Sequence, residues 1–342
     1  MLFYLQIFII TLLLSAALTF LVMKLARRLK ITDKPDDDRK IHGRAVPLLG
    51  GLAVFAAFFI ILYFVHSNLL TGNLLPRHWL GFFIGACFLM VGGFLDDKYN
   101  LKPARQIIWP ILAIASVIIG GVEIEKITNP LGGYFYLGAT STALIALWLL
   151  GMMYTTKLLD GLDGLVSGMT AIGALVIFLF TMSEKYYQPD IGLAALILAA
   201  SACGFLFFNW HPAKIFLGEG GSLFLGFSLG VLAIISGGKI AIALLVMGLP
   251  ILDVAWTIIR RLISGQNPFK FADRKHLHFR LLNMGLGVKK SVLLFYFISI
   301  IFGLSALFLQ SKGKILALAV LLVIMMMIII FFAFLDRKSK VI

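Results

Sequence analysis

The chain is dominated by apolar runs that follow one another with only short polar segments between them. A helix needs about 20 residues, at 1.5 Å each, to cross the hydrocarbon of a bilayer. Runs of about that size lie near 3–23, 48–66, 78–95, 106–122, 140–153, 167–182, 191–208, 222–236, 240–259, 291–310 and 314–335, eleven in all. Lipid offers no hydrogen bonds, so each run must satisfy its own backbone as a helix. The runs are continuously apolar and do not alternate, which excludes a transmembrane barrel. With 61% hydrophobic and 13% charged residues in 342, a soluble globule is excluded too. The expectation is an all-α polytopic integral membrane protein: one transmembrane domain over 1–342, served by polar segments 24–47, 96–105, 154–166, 209–221 and 260–290. The fifth run is short for a crossing and calls for tilt, extension past Tyr154 or a half-buried loop.

Lys and Arg gather in cytoplasmic loops and set orientation. Placing the N-terminus outside and the C-terminus inside puts 24 of the 30 basic residues on the inner side. That accounts for most of the +14 net charge, which is spread over short membrane-proximal segments without the basic stripe and interleaved aromatics of a nucleic-acid binder. Anionic lipids and phosphorylated substrates are the partners such a face attracts. Cys87 and Cys203 both fall inside apolar runs, with no metal-ligand or disulfide spacing. Twelve of the sixteen acids also fall on the inner side, and the topology rule does not require that. Carboxylates among Lys, Arg and His suit a site that holds a divalent cation and phosphates.

Six places carry that chemistry. Asp96-Asp97 closes the third run, and two adjacent carboxylates facing one cavity need a cation or a proton between them. In Asp160-Gly161-Leu162-Asp163-Gly164 the glycines let backbone approach a ligand, although a turn with Asp163 capping the next helix would look the same. Gly218-Glu219-Gly220-Gly221 sets an acid at a helix start, where free N–H groups can receive phosphate oxygens. Asp253 lies about 12 Å from the inner end of the ninth run, where a charge is costly enough to demand a polar cavity or a hydrogen-bonded partner. His276, His278 and Arg280, like Arg39, Lys40 and His42 near the second run, fit either a diphosphate grip or a solvated basic loop.

In order along the chain, Asp33-Lys34-Pro35-Asp36, Arg39-Lys40-Ile41-His42, Val46-Pro47-Leu48-Leu49-Gly50-Gly51, Asp96-Asp97, Leu159 to Gly164, Phe216 to Ser222 and Asp273-Arg274-Lys275-His276-Leu277-His278 resemble the polyprenyl-phosphate N-acetylhexosamine-1-phosphate transferase family. The form of the last string, without a run of three histidines, is similar to the bacterial N-acetylglucosamine-1-phosphate branch. The resemblance implies a UDP-N-acetylhexosamine and a polyprenyl (undecaprenyl) phosphate meeting at the cytoplasmic face of a bacterial inner membrane. It also implies magnesium as cofactor, with manganese as the alternative ion. It makes Asp96 the group that deprotonates or positions the lipid phosphate. Asp97 and Glu219 then serve the metal, Asp160 and Asp163 organise the nucleotide pocket, and Arg39, Lys40, His42, Gly218, Asp253, His276, His278 and Arg280 bind substrate.

The family pattern has Asn where this chain has Tyr154 and Lys157, and Asp where it has Glu219. A protonated Lys cannot ligate magnesium, so Lys157 is expected to neutralise substrate phosphate instead. The competing readings are the peptidoglycan-precursor phospho-N-acetylmuramoyl-pentapeptide transferase, a transporter with Asp253 in an ion path, and a catalytically silent scaffold. A homodimer is left open, because lipid covers the apolar surface that would otherwise betray one.

Overall fold

The computed structural model describes residues 1–33, 35, 45–70, 72, 74–129, 132–236, 240–265 and 276–338, with backbone alone at 128 and 333–338. Its helices are α1 (Leu2–Arg28), α2 (Gly50–Phe64), α3 (His66–Leu69), α4 (Pro76–Tyr99), α5 (Pro103–Gln106), α6 (Ile108–Ile119), α7 (Thr140–Leu159) and α8 (Leu165–Thr181). They continue with α9 (Pro189–Asn209), α10 (Gly218–Ile235), α11 (Ile240–Val246), α12 (Gly248–Ile263), α13 (Leu277–Asn283), α14 (Val288–Phe308) and α15 (Ser311–Lys338). Among the described residues a 3-10 turn (Glu184–Tyr186) and two antiparallel pairs complete the elements: β1 (Thr32–Asp33) with β2 (Val46–Pro47), and β3 (Lys126–Thr128) with β4 (Tyr134–Tyr136).

Every apolar run is helical, and the protein is an all-α polytopic membrane protein. Among the described residues seven helices are long and apolar enough to cross a bilayer, or eight if α11 and α12 count as one span. The remaining apolar helices, α2, α8 and the Pro103–Ile119 segment, are shorter than the eleven full spans expected. Of the options for the short fifth run, extension is the one found: α7 continues to Leu159, so Tyr154 and Lys157 ride on the helix and not on a loop. The ninth is not continuous, because α11 and α12 meet at an 80° bend. Pro250 explains the break, since it has no N–H to give the Val246 carbonyl and its ring crowds the preceding turn. The Ser299 hydroxyl donates to that Val246 carbonyl instead, at 2.8 Å.

Helices α9 and α10 are apolar on all sides and enclosed on nearly all of them, whereas α1 and α15 leave most of their surface outward. The first turn of α10 is wedged between the start of α2 and the end of α4. A Cβ on Gly51 would stand 2.1 Å from the Gly221 Cα, and one on Gly93 would stand 2.1 Å from the Gly220 Cα. Backbone meets backbone at both crossings, so neither helix can yield by turning a side chain. On α10's other side a Cβ at Gly226 would fall 2.3 Å from Thr156 Oγ1 and 2.5 Å from the Met152 carbonyl of α7. Main-chain bonds lock the wedge: Phe216 N–H donates to the Pro47 carbonyl (2.9 Å), Gly50 N–H to Phe216 (2.9 Å) and Gly51 N–H to Leu217 (2.8 Å).

Gly93→Ala should therefore cost at least the 1–3 kcal/mol typical of overpacking, whereas Gly151→Ala, where a Cβ meets nothing within 4 Å, should be neutral or slightly stabilising. Thermal unfolding of the two variants in detergent checks this, and equal melting temperatures would contradict the wedge.

Candidate active site

The wedge brings together one end of α4, α7 and α10, and a cavity of about 450 Å³ opens there. That volume is within the range that takes a drug-sized ligand. Its lining includes Asp33, Asp97, Lys157, Asp160, Gly161, Asp163, His211, Gly218 and Glu219, drawn from segments that the basic-residue pattern assigns to one face.

The structure parts the adjacent acids of α4. Asp97 lines the cavity and Asp96 does not. Asp97 Oδ1 accepts the Glu219 N–H at 3.0 Å, so a carboxylate of one helix caps the first turn of another. Gly218 permits this closeness: its φ is +74°, and a Cβ there would stand 2.4 Å from Asp97 Oδ2. Asp96 points elsewhere, its Oδ1 accepting from Leu101 N–H (2.8 Å) and Gln106 Nε2 (3.0 Å). The role that the resemblance gave Asp96 therefore has Asp97 in position for it. One residue is about 100° around a helix, which is enough to move a carboxylate out of the site.

Lys157, in the last turn of α7, lines the same cavity, pairs with Glu219 Oε1 and donates to Gln106 Oε1 at 3.1 Å. The three positions that depart from the family pattern meet here, because the Lys157 ammonium also lies 5.6 Å from the Tyr154 ring.

Asp160 follows α7 directly. Crowding by protein at the cavity wall, reinforced by the carboxylates of Glu219, Asp97 and Asp163, pushes its carboxyl up to about 8. Asp163 does not cap α8. Its Oδ2 takes bonds from His211 Nδ1 (2.7 Å) and Ala213 N–H (3.0 Å). Asn209 receives the Gly164 N–H (3.0 Å) and the Ser167 hydroxyl (3.1 Å) in its place. Sequence reading missed Asn209, His211 and Gln106. The first two could have been noticed as polar residues closing an apolar run just before Pro212, but nothing in sequence marks Gln106.

Asp253 is not in a mid-span ion path. It sits on α12, beyond the bend, and both its oxygens are engaged: Oδ2 with His276 Nδ1 at 2.9 Å and Oδ1 with Leu277 N–H at 3.0 Å. It tethers the start of α13 and is not among the residues lining the cavity. His276 is thereby committed to Asp253, and Arg280 lies over the Phe332 ring at 5.1 Å. His278 is buried beside Gly161, where an added Cβ would stand 2.6 Å from its Nε2. Burial, and next to it His276, pushes His278 down to about 3 against the opposing pull of Asp253, so it is neutral at physiological pH. Neither of its ring nitrogens has a hydrogen-bond partner among the described residues. A neutral ring with unused nitrogens beside Asp160-Gly161 can hydrogen-bond a ligand but cannot neutralise one. Arg39, Lys40 and His42 lie outside the described residues.

Among the described residues no group of three His, Cys, Asp or Glu side chains could cage a metal unaided. The site offers Asp97 and Glu219 side by side on one cavity with Asp160 on its wall. That donor set fits magnesium, which is commonly held by one or two carboxylates and completes its octahedron with water and substrate phosphate oxygens.

Comparison with known proteins places the chain among named relatives. The family model described as Glycosyl transferase family 4 matches residues 79–237, which carry Asp97, Lys157, Asp160, Asp163 and Glu219. The chain is 34% identical over 321 residues (92% of this chain, 87% of the relative) to the Bacillus subtilis protein named probable undecaprenyl-phosphate N-acetylglucosaminyl 1-phosphate transferase. It is 30% identical to the undecaprenyl-phosphate alpha-N-acetylglucosaminyl 1-phosphate transferase of Thermotoga maritima, over 86% of this chain and 87% of that one. A phospho-N-acetylmuramoyl-pentapeptide-transferase of Halalkalibacterium halodurans is 29% identical, over 89% and 98%. The chain belongs to glycosyl transferase family 4.

Asp253→Ala should leave the Leu277 N–H and the His276 ring unsatisfied, at about 1–3 kcal/mol for each buried group. Asp253→Asn should cost less, because the amide oxygen still accepts from Leu277. Melting temperatures in detergent report the order, and an unchanged Asp253→Ala would contradict the tether.

Proposed function

We propose that the protein transfers N-acetylhexosamine 1-phosphate, specifically N-acetylglucosamine 1-phosphate, from its UDP-sugar to undecaprenyl phosphate, releasing UMP. The reaction runs at the cytoplasmic face of a bacterial inner membrane and starts an envelope glycan. The observation that carries this reading is one cavity, at one end of a membrane bundle, that holds Asp97, Asp160, Asp163, Glu219 and Lys157 together. Relatives named for the same transfer support it.

In the reaction an oxygen of the lipid phosphate attacks the sugar-bearing phosphorus, the bond from that phosphorus to the oxygen of UMP breaks, and UMP leaves with the electron pair. Both reactants are anions, so alignment and charge neutralisation supply most of the acceleration. Asp97 faces the cavity and positions the lipid phosphate or takes its proton. Lys157 presents a cation to the transferring phosphoryl oxygens, and Asp163, which holds His211 at the cavity wall, would organise the nucleotide pocket. Asp97 and Glu219 would hold magnesium, which supplies further neutralisation of the diphosphate. Direct displacement is the chosen path, because phosphoryl transfer needs positioning more than an added nucleophile. A trapped phospho-carboxylate would replace it.

Release of UMP by purified protein in detergent, given undecaprenyl phosphate and UDP-N-acetylglucosamine with magnesium, tests the reading. Asp97→Asn should lose about 10²-fold or more, the scale of a lost acid–base group. Asp96→Asn should lose far less, since an amide oxygen still accepts from Leu101 and Gln106. A chelator should abolish turnover. Release only with UDP-N-acetylmuramoyl-pentapeptide would move the protein to the peptidoglycan-precursor branch. No UMP from folded protein with any UDP-sugar would overturn the proposal.

A further inference from the structure

The transfer as proposed uses Lys157 and Glu219 separately, one toward phosphate and one toward metal, and does not by itself require that they pair with each other or that Gln106 hold the ammonium. Lys157 Nζ is fixed from three sides: it pairs with Glu219 Oε1, donates to Gln106 Oε1 at 3.1 Å, and lies 5.6 Å from the Tyr154 ring. Gln106 is itself oriented, since its Nε2 donates to Asp96 Oδ1 (3.0 Å) and to the Leu101 carbonyl (2.9 Å), which leaves its oxygen facing Lys157. Asp96, out of the cavity, thus acts on the site through an amide relay. The Lys157 and Glu219 side chains are only 21% and 18% exposed, so water screens their attraction poorly. The position is built into the scaffold, because the close approach of α7 to α10 at Gly226 fixes how far the ammonium stands from the first turn of α10.

A carboxylate already paired with an ammonium is a poorer ligand for a divalent cation. The incoming ion must displace the ammonium or sit beside a like charge. We propose that Lys157 is the resident counter-ion of Glu219 and sets the divalent-cation affinity of the site, the ammonium and the metal competing for the same carboxylate. In the substrate-free protein Lys157 holds Glu219. When a divalent cation arrives with the diphosphate, the displaced ammonium stays on the cavity wall and is free to meet a phosphate oxygen. The protein is then a weak binder of metal alone and a stronger binder of metal together with substrate. This inference rests on the assignment of Glu219 to the metal site made above.

The test is direct binding of Mn²⁺ to the full chain in detergent without substrate, by titration calorimetry or by the resonance of the free ion, with thermal unfolding as the check on folding. Lys157→Gln, which keeps an amide donor for Gln106, and Lys157→Met should both bind Mn²⁺ about tenfold more tightly than the wild type, the size of effect a neighbouring charge has on a carboxylate's cation affinity. Lys157→Arg should bind as the wild type does. Glu219→Gln should lose binding. If Glu219→Gln loses binding but both neutral Lys157 variants bind no more tightly than the wild type, the counter-ion proposal is overturned and the metal assignment stands. If Glu219→Gln binds Mn²⁺ like the wild type, the metal assignment fails and the proposal with it.

Discussion

Backbone contact at glycine is the constraint on which the site depends. The start of α10 reaches Asp97 only because Gly220 and Gly221 lie directly against Gly93 and Gly51, with no side chain at either crossing. Lipid gives helices no hydrophobic reason to associate, so small residues that let backbones touch are what draw membrane helices together. Here that packing rule has a chemical result. It sets the first N–H groups of α10 against the carboxylate that ends α4, and it sets Glu219 beside Lys157 of α7. The string Gly218-Glu219-Gly220-Gly221 is therefore both the hinge of the packing and a wall of the cavity.

A membrane protein has few places where it can hold several charges, and this one gathers them at a bundle end. Enclosure by protein, and after it the repulsion of the Glu219, Asp97 and Asp163 carboxylates, raises Asp160 there. The fold offsets the repulsion locally: Asp97 with the Glu219 N–H, Asp163 with His211 and the Ala213 N–H, Glu219 with Lys157. Asp253 follows the same rule on the second tier, its charge spent on holding the chain that carries His276 and His278. Among the described residues Asp160 is the carboxylate at the cavity wall left without such a partner, and that is where a cation or a donor from substrate does most good.

Sequence made the architecture legible because apolar length reports membrane helices directly, and each of the eleven runs is helical. It could not report that Pro250 bends the ninth, since proline is tolerated in many membrane helices and only the neighbouring Ser299 hydroxyl shows where the freed carbonyl went. The choice between Asp96 and Asp97 was equally hidden. Adjacent residues differ only in rotation about the helix, and no polar neighbour in the string reveals which face meets α10. Gln106 was invisible for a different reason, because its importance lies in partners distant in sequence, Lys157 being 51 positions away. The glycines of Gly50-Gly51 and Gly218 to Gly221 were legible as sites of close approach, but they approach each other's helices as much as any ligand.

The departures at Tyr154, Lys157 and Glu219 bear on whether this is a working enzyme or a silent relative. Scattered losses would leave unmatched groups. Instead Tyr154 and Glu219 converge on the ammonium of the third, Lys157, which also donates to the Gln106 amide oxygen. Retaining four carboxylates and adding a cation in a poorly solvated cavity costs stability relative to apolar packing of the same space. A scaffold has no use for that cost, whereas an enzyme that must bind two phosphorylated substrates does. The added positive charge lies on the wall shared with Asp97 and Glu219, so the departures change how the charge of the site is balanced and leave Asp97, Asp160 and Asp163 lining the cavity.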